Sequence, residues 1–177
     1  MSANVVFAIS EALATRGISA LRFNFRGVRN SGGTFSDGVG EKDDVRAALT
    51  AALAAPGVDG SRIGLVGYSF GGRIAVAVAA GDPRTKLVAL VAPALFRAER
   101  ELLRKYPGPV YLIIGDADQL IPPEMVLEHF QDKAGPRYGE VIPGPDHFWV
   151  GFEEALAQKV AGFFESGFRT KVPQEGE

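Results

Sequence analysis

Arg62-Ile63-Gly64-Leu65-Val66-Gly67-Tyr68-Ser69-Phe70-Gly71-Gly72-Arg73-Ile74-Ala75-Val76-Ala77-Val78-Ala79-Ala80 decides the reading of this chain. A short apolar run ends at Tyr68, and an Ala/Val-rich helical stretch from Gly72 to Ala80 follows, closed by Gly81 and Pro83. The join between them, Gly67-Tyr68-Ser69-Phe70-Gly71, has the form G-x-S-x-G. As a string it is weak, because Gly and Ser are common here. Its position between a strand and a helix gives it content: a sharp turn there lifts a serine hydroxyl above the sheet edge, and the helix start points its positive dipole end at the same place. The plain alternative is a glycine-rich turn whose serine caps the helix.

Working outward, strands alternate with helices. Asn4 to Thr15 reads as an amphipathic helix stopped by Gly17, Ile18 to Phe25 as a strand, and Arg26 to Gly40 as a Gly/Ser/Asn/Asp-rich loop. A helix opened by Glu41, Asp43 and Asp44 runs to about Ala55. Beyond the central pair come a strand at Leu87 to Val91 and a helix carrying Leu95, Phe96, Leu102, Leu103 and Tyr106 on one face. A strand at Val110 to Ile114, a helix from Pro122-Pro123 to about Lys133, a strand at Arg137 to Ile142 and a helix at Glu153 to Phe164 complete the series. The strands are continuous apolar runs, the pattern of parallel strands buried on both faces. The expectation is one α/β domain over residues 1–165, a doubly wound, mostly parallel sheet of about five strands with helices on both faces, followed by a polar tail over 166–177.

Composition narrows the function. The 177 residues include 19 Lys+Arg, 21 Asp+Glu, two His and no Cys, for a net charge of -2. Without Cys there is no disulfide, thiolate nucleophile or Cys-based zinc site, and two His are too few for a His-rich metal centre. We expect no metal and no cofactor. The balanced charge argues against a nucleic-acid or membrane partner. The longest apolar run, Leu87 to Phe96, is ten residues and contains Pro93, far short of a membrane span. No basic n-region or A-x-A-like site marks the start, so a cytoplasmic location is expected.

A serine nucleophile requires a base, commonly His oriented by a carboxylate. His129 falls in a helical stretch, where an ordinary helix residue is the simpler reading. His147 lies in the loop Pro143-Gly144-Pro145-Asp146-His147-Phe148, where a base belongs. Three carboxylates are candidates: Asp116, which directly follows a strand and is placed to bond turn amides; Asp118; and Asp146, whose side chain should diverge from that of its neighbour His147.

Taken together, Phe23-Asn24-Phe25-Arg26-Gly27-Val28 with Ser31-Gly32-Gly33, then Gly67 to Gly72, Gly115 to Pro122 as G-x-x-D-x-x-I-P, and Asp146-His147-Phe148-Trp149 resemble the α/β-hydrolase superfamily. Within it the chain is similar to small, lidless bacterial serine hydrolases of the dienelactone-hydrolase-like type. The resemblance selects Asp118 and gives the chain order Ser69, Asp118, His147. It implies a serine hydrolase of carboxylic esters, thioesters or small amides, with a small acyl compound as substrate and the Phe70 amide as an oxyanion donor. An acyltransferase or a non-catalytic relative are the rival expectations. Dienelactone hydrolases proper carry Cys where this chain has Ser69, which disfavours that reaction. Only one helix fits between Leu87 and Val110, so the implied site is open; Phe70, Phe96, Phe148 and Trp149 are candidates for its apolar walls and equally for ordinary packing, which for Phe96 is the preferred reading.

The resemblance also implies a strand ahead of Asn4, lying between the strands Ile18 to Phe25 and Arg62 to Tyr68 and ending in a loop that supplies a second oxyanion donor. A longer form of the chain, direct pairing of the two strands, or a strand from a partner would each close that gap. The first is the expectation.

Overall fold

The structure, a computed structural model, describes residues 3–127, 130 and 135–169. Four parallel strands form one sheet in the order β1-β2-β3-β4: β1 is Gly64–Tyr68, β2 Leu87–Val91, β3 Val110–Gly115 and β4 Arg137–Ile142. The helices are α1 (Ala3–Ala14), α2 (Glu41–Ala54), α3 (Phe70–Ala79), α4 (Arg97–Lys105), α5 (Pro123–Leu127) and α6 (Glu153–Arg169).

The apolar runs of the sequence become the centre of the sheet. Every residue of β2 and β3 is buried. Because successive side chains alternate across a strand, each of these strands feeds two layers. Leu87, Ala89, Val91, Tyr111 and Ile113 pack under α1 and α6, together with Val5, Ile9, Leu156, Val160 and Phe164. Val88, Leu90, Val110, Leu112 and Ile114 face α3, α4 and α5. A third cluster joins Val45 and Leu49 of α2 to Ile74 and Val78 of α3. Helices thus cover both faces, as expected.

Several boundaries differ from the sequence reading. α6 continues past Phe164 to Arg169, because Phe168 packs against the α1/α6 layer and Arg169 pairs with Glu165. Phe96 is not a helix residue with a buried ring; it precedes α4 in extended backbone and is 61% exposed. The extension of α5 toward Lys133, which includes His129, lies outside the described residues.

The larger difference concerns the expected strand Ile18 to Phe25, so that among the described residues the sheet has four strands and not about five. Its ends are anchored on opposite layers, Ile18 against the α1/α6 cluster and Phe25 against the α2/α3 cluster. Between them Leu21 and Phe23 are exposed, and the segment joins no ladder. Alternation of the sequence sets the backbone direction, but a strand also needs a neighbour. β1 does not supply one. The Ser69 N–H donates to Val91 O and the Lys86 N–H to Ile63 O, so the odd-numbered residues face β2, while Gly64, Val66 and Tyr68 turn their backbone groups to the open side. Direct pairing of the two segments is therefore not how this chain is arranged.

The loop from Arg26 to Gly40 is fastened by the first turn of α2. Arg26 makes a forked pair with Asp44, which also receives the Arg26 N–H. The guanidinium holds the Asp44 carboxyl below the usual carboxylate range. Glu41, fully buried, accepts the Ser36 and Gly38 amides at 2.8 Å each and the Ser36 hydroxyl at 3.0 Å. Burial pushes the Glu41 pKa up, but the amides of Ser36, Glu41 itself and Gly38, with the Ser36 hydroxyl, outweigh it and hold the group below its ordinary value.

Two outcomes follow from this architecture. In native-state hydrogen exchange, the Val66 amide exchanges faster than those of Leu112 and Ile114; equal protection would mean that β1 is covered. Because the Glu41 pKa is lowered on folding, its contribution is present above the unfolded value near 4.3 and is lost as pH falls through the folded value. Acid titration followed by circular dichroism should show Glu41→Gln less stable than wild type at pH 7, with the difference shrinking below about pH 4.

Candidate active site

The C-terminal ends of the parallel strands converge on one group of side chains. β1 ends at Tyr68 and α3 begins at Phe70, leaving Ser69 alone to turn the chain, with φ 52° and ψ -118°. For a residue with a side chain this is strained backbone, and the surroundings enforce it. The Ser69 N–H is held by Val91 O, and its carbonyl accepts the N–H groups of Gly72, Arg73 and Ala94. The turn is tight because Gly67 faces the start of α3: a Cβ at Gly67 would overlap the Gly71 carbonyl, and one at Gly72 would lie 2.8 Å from Pro93 Cβ. Gly71 has open space at its Cβ. The close approaches thus fall on Gly67 and Gly72, and the last glycine of the G-x-S-x-G string is not sterically required.

Three of the expected site residues come together. His147 Nε2 lies 3.0 Å from Ser69 Oγ, and His147 Nδ1 lies 2.8 Å from Asp118 Oδ2. With a carboxylate on Nδ1, the neutral ring carries its proton there and leaves Nε2 as acceptor for the serine hydroxyl. The Asp118 side chain is wholly shielded from solvent, and its Oδ1 accepts the amides of Leu120 at 3.0 Å and Ile121 at 2.8 Å. A buried carboxylate needs such partners.

The other two carboxylates have different work. Asp116 accepts the Gly144 amide at 2.7 Å and so ties the end of β3 to the loop after β4. Asp146 accepts the amides of Phe148 and Trp149 from within its own turn. The Ala117 N–H to Pro145 O bond adds a further tie, and a Cβ at Gly115 would overlap the Pro145 carbonyl. The base-bearing loop is thereby drawn against the loop that carries Asp118.

The Phe70 amide opens α3, where the first N–H groups of a helix have no intrahelical acceptor; those of Gly72 and Arg73 turn back to Ser69 O. The Phe70 ring packs on Phe25 and Phe35 at 5.7 and 5.5 Å between centroids. Phe148, 42% exposed, meets the His147 ring edge-on at 5.7 Å. Trp149 does not share that exposure. It is fully buried in the α1/α6 layer, with φ 60°, and so packs the core and does not line the site. Phe96 reverses the other way: it is exposed, with the Arg73 guanidinium 4.7 Å from its ring centroid.

Sequence reading missed two contributors. Tyr68 donates from Oη to the His147 carbonyl at 2.7 Å and stacks on its ring; adjacency to Ser69 was the only signal. Arg73 joins the Arg26–Gly40 loop to α4 through Asp37 at 3.2 Å and Glu99 at 3.3 Å. Among the described residues no cluster of His, Asp and Glu is suited to a metal ion, and no helix is long and apolar enough to cross a membrane.

The chain is similar to known proteins over most of its length. A protein of Rickettsia prowazekii is 30% identical over 158 residues, which take in 84% of this chain and 66% of that protein; a Mycobacterium tuberculosis protein is 31% identical, with 56% of its length matched. The chain therefore spans less than two thirds of these relatives. A solved α/β serine hydrolase homologue from Coxiella burnetii is 32% identical with TM-score 0.81, covering 90% of this chain and 76% of that one. An α/β serine hydrolase without a lid from Xanthomonas campestris is 28% identical with TM-score 0.76, covering 97% and 75%. The model of the dienelactone hydrolase family matches residues 35–137, which include the turn at Ser69 and the carboxylate Asp118. This chain, with its α/β-hydrolase fold, belongs to the dienelactone hydrolase family.

Proposed function

We propose that the protein is a serine hydrolase that cleaves carboxylic esters through a covalent acyl intermediate on Ser69. The observation that carries this reading is the continuous hydrogen-bonded line Asp118–His147–Ser69, at 2.8 and 3.0 Å. Ser69 Oγ attacks the acyl carbon while His147 Nε2 takes its proton; the same nitrogen returns the proton to the leaving alkoxide, and a water activated by His147 then releases the acid. Asp118 keeps the imidazole in the required tautomer and stabilises its cation. The amide of Phe70 donates to the oxyanion, helped by the N-terminal end of α3. Phe148, exposed beside the His147 ring, is the proposed apolar contact for a small acyl group.

A fluorophosphonate probe tests the nucleophile. Wild-type protein should be labelled once, at Ser69, and Ser69→Ala not at all; equal labelling of the two would remove the assignment. Turnover of a short p-nitrophenyl ester should fall by about 10,000-fold or more in Ser69→Ala and His147→Ala. His129→Ala should retain wild-type rates.

The elbow gives a second test, aimed at the packing around Ser69. Gly67→Ala should lose labelling together with thermal stability, whereas Gly71→Ala should stay folded and reactive. Equal loss in both variants would contradict the packing at Gly67.

A further inference from the structure

Tyr68 belongs to the nucleophile strand, yet its side chain serves the base 79 residues away in sequence. Its hydroxyl donates to the main-chain carbonyl of His147 at 2.7 Å, and its ring lies against the imidazole with centroids 5.5 Å apart and planes 29° from parallel. Tyr68 is partly buried and packs against the hydrophobic clusters on both sides of the sheet, which anchors it at the strand end.

The loop bearing His147 needs such an anchor. It contains Gly144 at φ 102° and Trp149 at φ 60°, and it is anchored on one side through Gly144 and Pro145 and on the other by the Asp146 turn. Between those anchors the His147 carbonyl is held by Tyr68. We propose that Tyr68 is the positioning residue of the base: the hydroxyl fixes the His147 backbone and the ring fixes the tilt of the imidazole, so that Nε2 stays on Ser69 Oγ while Nδ1 stays on Asp118. This inference rests on the hydrolase reading above and adds a residue to it.

Two features support the assignment. Displacing a catalytic group by about 1 Å can cost 100-fold in rate, so a single anchor on the loop has leverage. Burial, reinforced by the charges of Asp118 and Asp146, pushes the Tyr68 phenol up to about 12, so the donor keeps its proton wherever an ester assay is run. The ionisable groups facing the imidazole are then Asp118 and Tyr68, with Asp146 next to it in the chain.

Tyr68→Phe removes the hydroxyl and keeps the ring; Tyr68→Leu removes both. For a p-nitrophenyl ester, Tyr68→Phe should lower kcat by about 10- to 100-fold with KM unchanged, because no substrate contact is lost. Its pH–rate profile should keep the wild-type shape. Tyr68→Leu should lower kcat further, because the imidazole also loses the ring that sets its tilt. Wild-type kcat in Tyr68→Phe, or a loss confined to KM, would overturn the proposal.

A second readout does not depend on turnover. The His147 Nδ1–H held by Asp118 should give a downfield proton resonance in the wild type, absent in His147→Ala and broadened by solvent exchange in Tyr68→Phe. An unchanged signal in Tyr68→Phe would also overturn the positioning role. If wild-type Ser69 does not react with the fluorophosphonate, the hydrolase reading fails, and the resonance alone decides whether Tyr68 holds the imidazole. Should Tyr68→Leu fail to fold, Tyr68→Phe, which preserves the packing, carries both measurements.

Discussion

One strained residue organises the molecule. Ser69 sits at φ 52° between the last residue of β1 and the first of α3, and four backbone bonds hold it there, from its N–H to Val91 O and to its carbonyl from Gly72, Arg73 and Ala94. Such a conformation costs of order 1–3 kcal/mol and persists only where packing enforces it. The enforcement is local. Gly67 lets α3 start within contact of the strand, and Gly72 lets it approach Pro93. Everything that faces Ser69 is then arranged by the parallel sheet, whose strand ends deliver Asp118 and His147 to the same edge.

The supporting network is made mostly of side chains that take no part in the proposed chemistry. Asp116 and Asp146 spend their oxygens on loop amides, Glu41 and Asp44 fasten the Arg26–Gly40 loop, and Arg73 ties that loop to α4. The carboxylates nearest the base thereby divide into one that bonds the imidazole and two that shape its loops. Tyr68 joins the nucleophile strand to the base loop through both its hydroxyl and its ring.

Local sequence carried much of this. The strand-turn-helix at Ser69, the buried runs of β2 and β3, and the loop bearing His147 were legible because each depends on patterns within about ten residues. Asp118 is separated from Asp116, which directly follows a strand, and from Asp146, which adjoins His147, by local arguments that lean on the resemblance, since all three lie in loops after a strand. Trp149 and Phe96 were read in reverse. Which way an aromatic ring next to a site faces depends on the course of its loop, which at Trp149 takes a positive φ of 60°, and composition does not reveal it. The segment Ile18 to Phe25 has a strand's pattern without a strand's partner. Pairing is a property of the neighbour, and β1 keeps that side open.

The proposed reaction turns on a covalent acyl intermediate at Ser69. Mixing the protein with p-nitrophenyl acetate, quenching in acid within the first turnovers and mapping the product by peptide mass spectrometry tests it most directly. One acetyl group is expected, on Ser69, absent from His147→Ala over the same interval. Nitrophenol release without an adduct on Ser69, or an adduct on another residue that survives Ser69→Ala, would contradict it.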